Sequence, residues 1–220
     1  MRRHLMVLLP LMIWSSSVAA APTIEEELKA LEPTIGAYPP AIKSASQKAT
    51  IVKRYNALKK RLDAEVGAHP DDLTVRFQRA SLENMGHNID LNGAFEQAKT
   101  DYTYVIDHHA GDVPALLGLG TMLVNTNPTY AGDAKALFLS AQCYHGKEPL
   151  EEAQRGLFFA NYYMGKLPEA KERSRYLVKQ WPDNATYRKL DGIVDAVLAR
   201  SQNPVKVADD PGLETCKGNP

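Results

Sequence analysis

Three Ala-Lys pairs, Ala98-Lys99, Ala134-Lys135 and Ala170-Lys171, recur with a spacing of 36 residues. Tyr102, Phe138 and Ser174 follow the three alanines at the fourth position, and a chain break follows at the twelfth: Ala110-Gly111-Asp112, Gly146-Lys147-Glu148 and Pro182-Asp183-Asn184. His69-Pro70-Asp71-Asp72 reads as an earlier break of the same kind. A fixed period of this size marks a supersecondary unit copied along a chain. A single helix pair cannot cover its own apolar face, so the copies stack. Composition agrees with helices as the unit. Ala and Leu supply 51 residues against 21 for Val and Ile, and the latter two are the β-branched residues that favour strands. Period and breaks together favour stacked pairs over a non-repeating helical bundle.

The second copy carries the clearest pattern. Leu116, Leu119-Gly120 and Leu123 are spaced as on one helix face, followed by Ala134 and, four residues on, Phe138. The third copy has Arg155, Phe158, Phe159 and Tyr162 in its first helix, then Ala170 and Pro182. The first copy has Arg76, Arg79-Ala80 and Glu83, then Ala98 and Tyr102. This layout resembles the tetratricopeptide repeat (TPR) family, whose signature is W-x2-L-G-x2-Y, then A-x3-F, then Pro. The small residues let paired helices approach closely, the aromatic fills the space between pairs, and the proline ends a helix. The match departs from the signature in places. No copy has the Trp, and Phe159 stands at a usual Gly position. Six extra residues separate the helices of copy one around Gly86-His87-Asn88, and two more occur in copy two around Asn127-Pro128. The resemblance implies an all-α fold: a right-handed α-solenoid of about three stacked antiparallel helix pairs with N- and C-terminal flanking helices.

The first residues read as an address. Met1-Arg2-Arg3-His4 is a basic start, Leu5 to Trp14 is apolar except for Pro10, and Ser15 to Ala21 is a run of small residues. These are the three regions of a secretory signal peptide, with cleavage favoured after Ala20. A membrane anchor needs about 20 apolar residues, and this core has ten. The mature protein is therefore expected to be exported, periplasmic if the source is Gram-negative and otherwise secreted, with no membrane span. Loss of Arg2 and Arg3 leaves 24 basic residues against 26 acidic ones. A slightly acidic chain is a poor electrostatic match for nucleic acid.

The remaining segments divide around the repeats. Residues 21–70 form an N-terminal helical segment and half-repeat. Within it, residues 24–32 read as a short helix capped by Thr23 and stopped by Pro33. Ile51, Tyr55, Leu58, Leu62 and Val66 give one apolar stripe of a longer helix. The polar face of that helix, with Lys53, Arg54, Lys59, Lys60 and Arg61, reads as solvated. Residues 71–182 hold the three pairs and 183–201 a capping helix. Residues 202–220, broken by Pro and Gly, read as a flexible tail.

Chemistry-bearing patterns are sparse. His108-His109 are adjacent, and neighbours on a helix point about 100° apart, so they do not converge on one metal. His69, His87 and His145 sit at breaks without ligand spacing. There is no nucleophile elbow, phosphate loop or haem motif. The chain is expected not to be an enzyme and to need no cofactor or metal. Cys143 and Cys216 are an even pair, which in an exported chain points to a disulfide. The other reading makes Cys143 a small buried apolar residue and leaves Cys216 unbonded.

In the TPR family the first helices of the pairs line a concave face that binds peptides. Carried over by register, the resemblance places Phe77, Ser81 and Asn84 on that face from copy one. Leu117, Thr121 and Asn125 come from copy two, and Tyr163 from copy three. These positions are neutral, so recognition by amide hydrogen bonds and shape is expected rather than a clamp of lysines and arginines. The implied function is an adaptor or scaffold in envelope or secretion-machine assembly that holds a partner protein or peptide in the groove. The alternative is a structural subunit packed permanently in a larger envelope complex.

Overall fold

The structure is a computed structural model that describes residues 21–200, 207 and 212–216. The proposed signal peptide lies outside the described residues. Among them the fold is all-α, with nine α-helices, one short 3₁₀ turn and no strand. The helices are α1 (Ile24–Ile35), α2 (Ala45–Ala68), α3 (Leu73–His87), α4 (Ala94–His108), α5 (Val113–Thr126), α6 (Ala131–His145), α7 (Glu151–Tyr163), α8 (Leu167–Gln180) and α9 (Ala185–Leu198). The 3₁₀ turn, Pro128–Tyr130, leads into α6.

Each helix packs against its neighbours in the chain, most extensively α3 on α4 and α5 on α6, with α7 held equally by α6 and α8. Connections this short bring each helix back alongside the one before it. The first helices of successive pairs also touch, α3 with α5 and α5 with α7. Three apolar clusters run in sequence. Leu31, Ile35, Tyr55, Leu58, Leu62 and Leu82 build the first. Leu116, Leu119, Leu123, Phe138 and Leu157 belong to the second. Phe158, Leu177, Tyr187 and Val194 form the third. The first joins α1 to α3, the second α3 to α7 and the third α7 to α9, as expected when no single pair can bury its own face.

Local chemistry starts the helices where the breaks place them. Asp72 Oδ1 accepts from the backbone N–H groups of Thr74 and Val75, Asp112 Oδ1 from Ala115, and Asn184 Oδ1 from Thr186. Each cap satisfies donors that the first helical turn leaves without intrahelical partners. Helix α7 has no such cap. The buried Gln142 of α6 takes that role, accepting from Leu150 N–H at 2.8 Å and donating to the carbonyls of Gly146 and Glu148.

The glycines and aromatics of the repeat interlock. A Cβ on Gly86 would fall 2.7 Å from the Tyr55 ring, and one on Gly118 2.7 Å from the Tyr102 ring. The Phe138 ring lies against both Gly120 and Gly156. The aromatic of one helix thus fills a notch in the first helix of the following pair. The repeated lysines serve one purpose too. Lys99 lies over the Tyr130 ring, Lys135 donates to Asn161 Oδ1, and Lys171 bridges Asp191 and Asp195. Each reaches from its own helix toward the next part of the stack.

Three expectations differ from the structure. Pro33 does not stop α1, which continues through it to Ile35. Leu31 and Ile35 are buried on either side, and their burial carries the backbone past the missing N–H. The polar face of α2 is not wholly solvated, since Arg54 pairs with Glu27 and Lys59 with Glu83 and Asp63. Part of the tail lies against the stack where it is described. Cys216 is bonded to Cys143, and Glu214 pairs with Lys135 and Arg173.

Candidate functional site

A cleft of about 570 Å³ opens on the side of the stack formed by α3, α5 and α7. Asn84, His87, Thr121, Asn125, Thr126, Glu152, Arg155, Gly156 and Phe159 line its walls, with Gly36–Tyr38, Asn88 and Asp90 at one end. On α7 the lining positions 152, 155, 156 and 159 follow helical spacing along one stripe.

Three of the residues expected on the concave face, Asn84, Thr121 and Asn125, come together in this cleft. The other four lie elsewhere. Phe77 is half-buried and packs edge-on against Tyr102 at 5.9 Å. Ser81 donates to the Phe77 carbonyl at 2.9 Å and accepts from the Tyr102 hydroxyl at 3.4 Å. Leu117 packs on the central core. Tyr163 is 42% exposed and stacks on Phe159, one turn beyond the cleft lining.

The cleft is not the neutral surface expected from register. Asp90, Glu152 and Arg155 give it charges of both signs, and the His87 ring joins the lining with its Nε2 2.9 Å from Thr126 Oγ1. Part of the additional lining comes from places where the repeat is interrupted or has not begun. Asn88 and Asp90 belong to the inserted loop of copy one, in which Asp90 takes a left-handed backbone with φ of 64°. Thr126 adjoins the insertion of copy two. Phe159 is the aromatic at the usual Gly position, and Gly36–Tyr38 belong to the link between α1 and α2. These departures were visible in the sequence, but a periodic pattern cannot say which way a break from it points.

Two buried polar clusters lie outside the cleft lining. Asp101, fully buried, receives the Arg79 guanidinium at 2.7 and 2.8 Å, Arg76 Nη1 at 3.1 Å and Gln97 Nε2 at 3.1 Å. Glu83 accepts from the Tyr55 hydroxyl and from Lys59 Nζ, both at 2.5 Å. Burial and the Glu83 carboxylate push the Tyr55 phenol well above its ordinary range. Burial pushes the Tyr102 phenol up to about 12, against the bonds to Ser81 and Asn84. Both clusters neutralise charges that helix packing encloses, which assigns them to architecture.

His108 Nδ1 lies 2.8 Å from the Tyr104 carbonyl and the ring stacks on Tyr104, while His109 faces Asp112. Among the described residues no three His, Cys, Asp or Glu side chains gather as metal ligands, and no helix is long and apolar enough to cross a membrane. No family model, curated protein or solved structure matches the chain.

Proposed function

We propose that this protein is an exported adaptor that holds a segment of a partner protein in the α3–α5–α7 cleft, on a right-handed, TPR-like α-solenoid. The carrying observation is the convergence of Asn84, Thr121 and Asn125, from the first helices of two successive pairs, in one cleft with Phe159. Primary amides donate and accept at once, which suits a polypeptide backbone, and an aromatic face supplies apolar contact. Arg155, with Asp90 and Glu152 in the same lining, adds a choice between charged partner side chains. The occupant is therefore a polar segment with an apolar anchor, bound by shape and hydrogen bonds without covalent chemistry. The periodic helix pairs and the signal-peptide pattern support the scaffold and the compartment respectively.

A photo-crosslinking side chain placed at Asn125 should trap one defined partner in the native envelope. The same group at Lys60, on the outer face of α2, should not. N84D/N125D should abolish the crosslink from an Arg155 probe while far-ultraviolet circular dichroism stays unchanged. Equal trapping from both faces, or capture that survives the double substitution, sinks the groove assignment. Trapping from Lys60 alone points instead to a structural subunit docked through α2.

A further inference from the structure

Residues 212–216 occupy a second polypeptide-reading surface, formed by α6, α7 and α8. Arg173 Nη2 donates to the Gly212 carbonyl at 2.6 Å, and Gln154 Nε2 donates to the Glu214 carbonyl at 2.9 Å. The Glu214 carboxylate lies 2.8 Å from Lys135 Nζ and 3.3 Å from Arg173 Nε. Two of these interactions read main-chain oxygens and the other two read a single carboxylate, so the surface selects an extended segment with one acidic side chain. It is separate from the cleft: Gln154 stands on a different stripe of α7 from Glu152, Arg155 and Phe159.

We propose that this seat is a recognition site for an extended acidic segment, closed in cis by residues 212–216 and opened when a dithiol reduces the Cys143–Cys216 bond. The seat is built rather than incidental. The Arg173 side chain is only 5% exposed, and Gln154 is fully buried. Gln154 is fixed on both sides, donating to Gln142 Oε1 at 3.0 Å and accepting from Arg173 Nη1 at 2.6 Å. Burial holds the Arg173 guanidinium below its ordinary range, with Glu214 opposing that shift. Departure of the tail takes two carbonyls and a carboxylate from buried donors, and such donors are costly to leave unmatched. A replacement must offer the same groups, which defines the partner class. Asn161 supplies one more donor beside Lys135, since its Nδ2 is buried without a hydrogen-bond partner among the described residues.

The disulfide spans 73 residues and adds a covalent tether to the tail. It raises the effective concentration of the tail at the seat and so excludes competitors. Exchange with a dithiol breaks the Sγ–Sγ bond. Two electrons and two protons pass to Cys143 and Cys216, which become thiols, and the reductant leaves as its own disulfide.

The test uses full-length protein and a fluorescent peptide of residues 212–216 carrying Ser at position 216, followed by anisotropy. C143S/C216S/E214Q, in which the cis tail has lost its tether and its carboxylate, should bind the peptide at least tenfold more tightly than oxidised wild type. A peptide with Gln at position 214 should bind that variant at least tenfold more weakly. Equal binding to variant and oxidised wild type, or indifference to the Glu214→Gln change in the peptide, overturns the proposal. If the variant loses helical content, hydrogen exchange on wild type decides. Amides of 212–216 should exchange at least tenfold faster after complete reduction, and unchanged exchange overturns the proposal equally.

Discussion

A Cβ atom on Gly156 would stand 2.4 Å from Cε1 of Phe138, a separation that no pair of carbon atoms tolerates. The other side of the ring packs on Gly120, where an added Cβ would lie 3.0 Å from the same atom. G156A should therefore destabilise the fold despite the helix preference of alanine. Overpacking costs about 1–3 kcal/mol, against a propensity gain of about 1 kcal/mol. G120A should cost less than G156A. Urea unfolding midpoints measure both. F138L/G156A should lose less than the sum of the single changes, and strict additivity would refute the wedge.

Arg79 and Asp101 supply a second prediction. R79A leaves a fully buried carboxylate with only Arg76 and Gln97 and should cost about 3 kcal/mol, as breaking a buried pair does. R76A, which leaves the bidentate partner in place, should cost clearly less. Replacing both charges, as in R79M/D101L, should recover most of the R79A loss. Denaturant titration of wild type, R79M, D101L and R79M/D101L forms the double-mutant cycle. A loss in R79M/D101L equal to the sum of its single changes would show that the pair is not coupled.

Alkaline behaviour follows from the phenols. Tyr102 is pushed up to about 12, and Tyr55 and Tyr187 are raised as well. Raised folded values mean that the folded state holds the phenolic proton more tightly than the unfolded state. This share of stability is complete below about pH 10, the ordinary tyrosine value, and is lost as pH rises toward about 12. The unfolding midpoint should hold steady near neutrality and fall above about pH 10. Y102F should fall less steeply. Ultraviolet absorbance should show part of the phenolate signal appearing only with unfolding.

Tyr187 and Glu151 tie the last helix to the stack, the phenol donating to the carboxylate at 2.5 Å. Y187A removes that bond and a ring that packs edge-on against Trp181. Hydrogen exchange should quicken in α9 and the end of α8, with α3 and α4 unaffected, because stability in a stack of pairs is local. Uniform acceleration across all helices would argue for one indivisible cooperative unit.

The architecture was legible because it is periodic. The Ala-Lys recurrence located the second helices, the Asp and Asn breaks located the caps, and the capping segment 183–201 located α9. The first copy matched its pattern poorly for a physical reason. Arg76 and Arg79 are committed to Asp101, a contact between residues 22 to 25 positions apart that no local window contains. The cleft was only partly legible. Asn84, Thr121 and Asn125 follow the register, but Asp90 and Thr126 enter through insertions, and Glu152 and Arg155 fell outside the positions selected from it. Gln142 was not legible at all, since it caps a helix from across a turn. Pro33 misled because local propensity says nothing of the burial of Ile35.

The bond between Cys143 and Cys216 changes how this molecule comes apart. A linear stack of pairs unravels from its ends, where the terminal unit has one neighbour instead of two. Here α7, α8 and α9 sit inside a covalent ring of 73 residues, so the carboxyl-terminal side has no free end from which to peel. In the chain-entropy picture a ring of that size adds about 4 kcal/mol to the stability of what it encloses. Unravelling should then begin at the amino-terminal pair, and mechanical or proteolytic stress on the oxidised protein should consume α1 and α2 first.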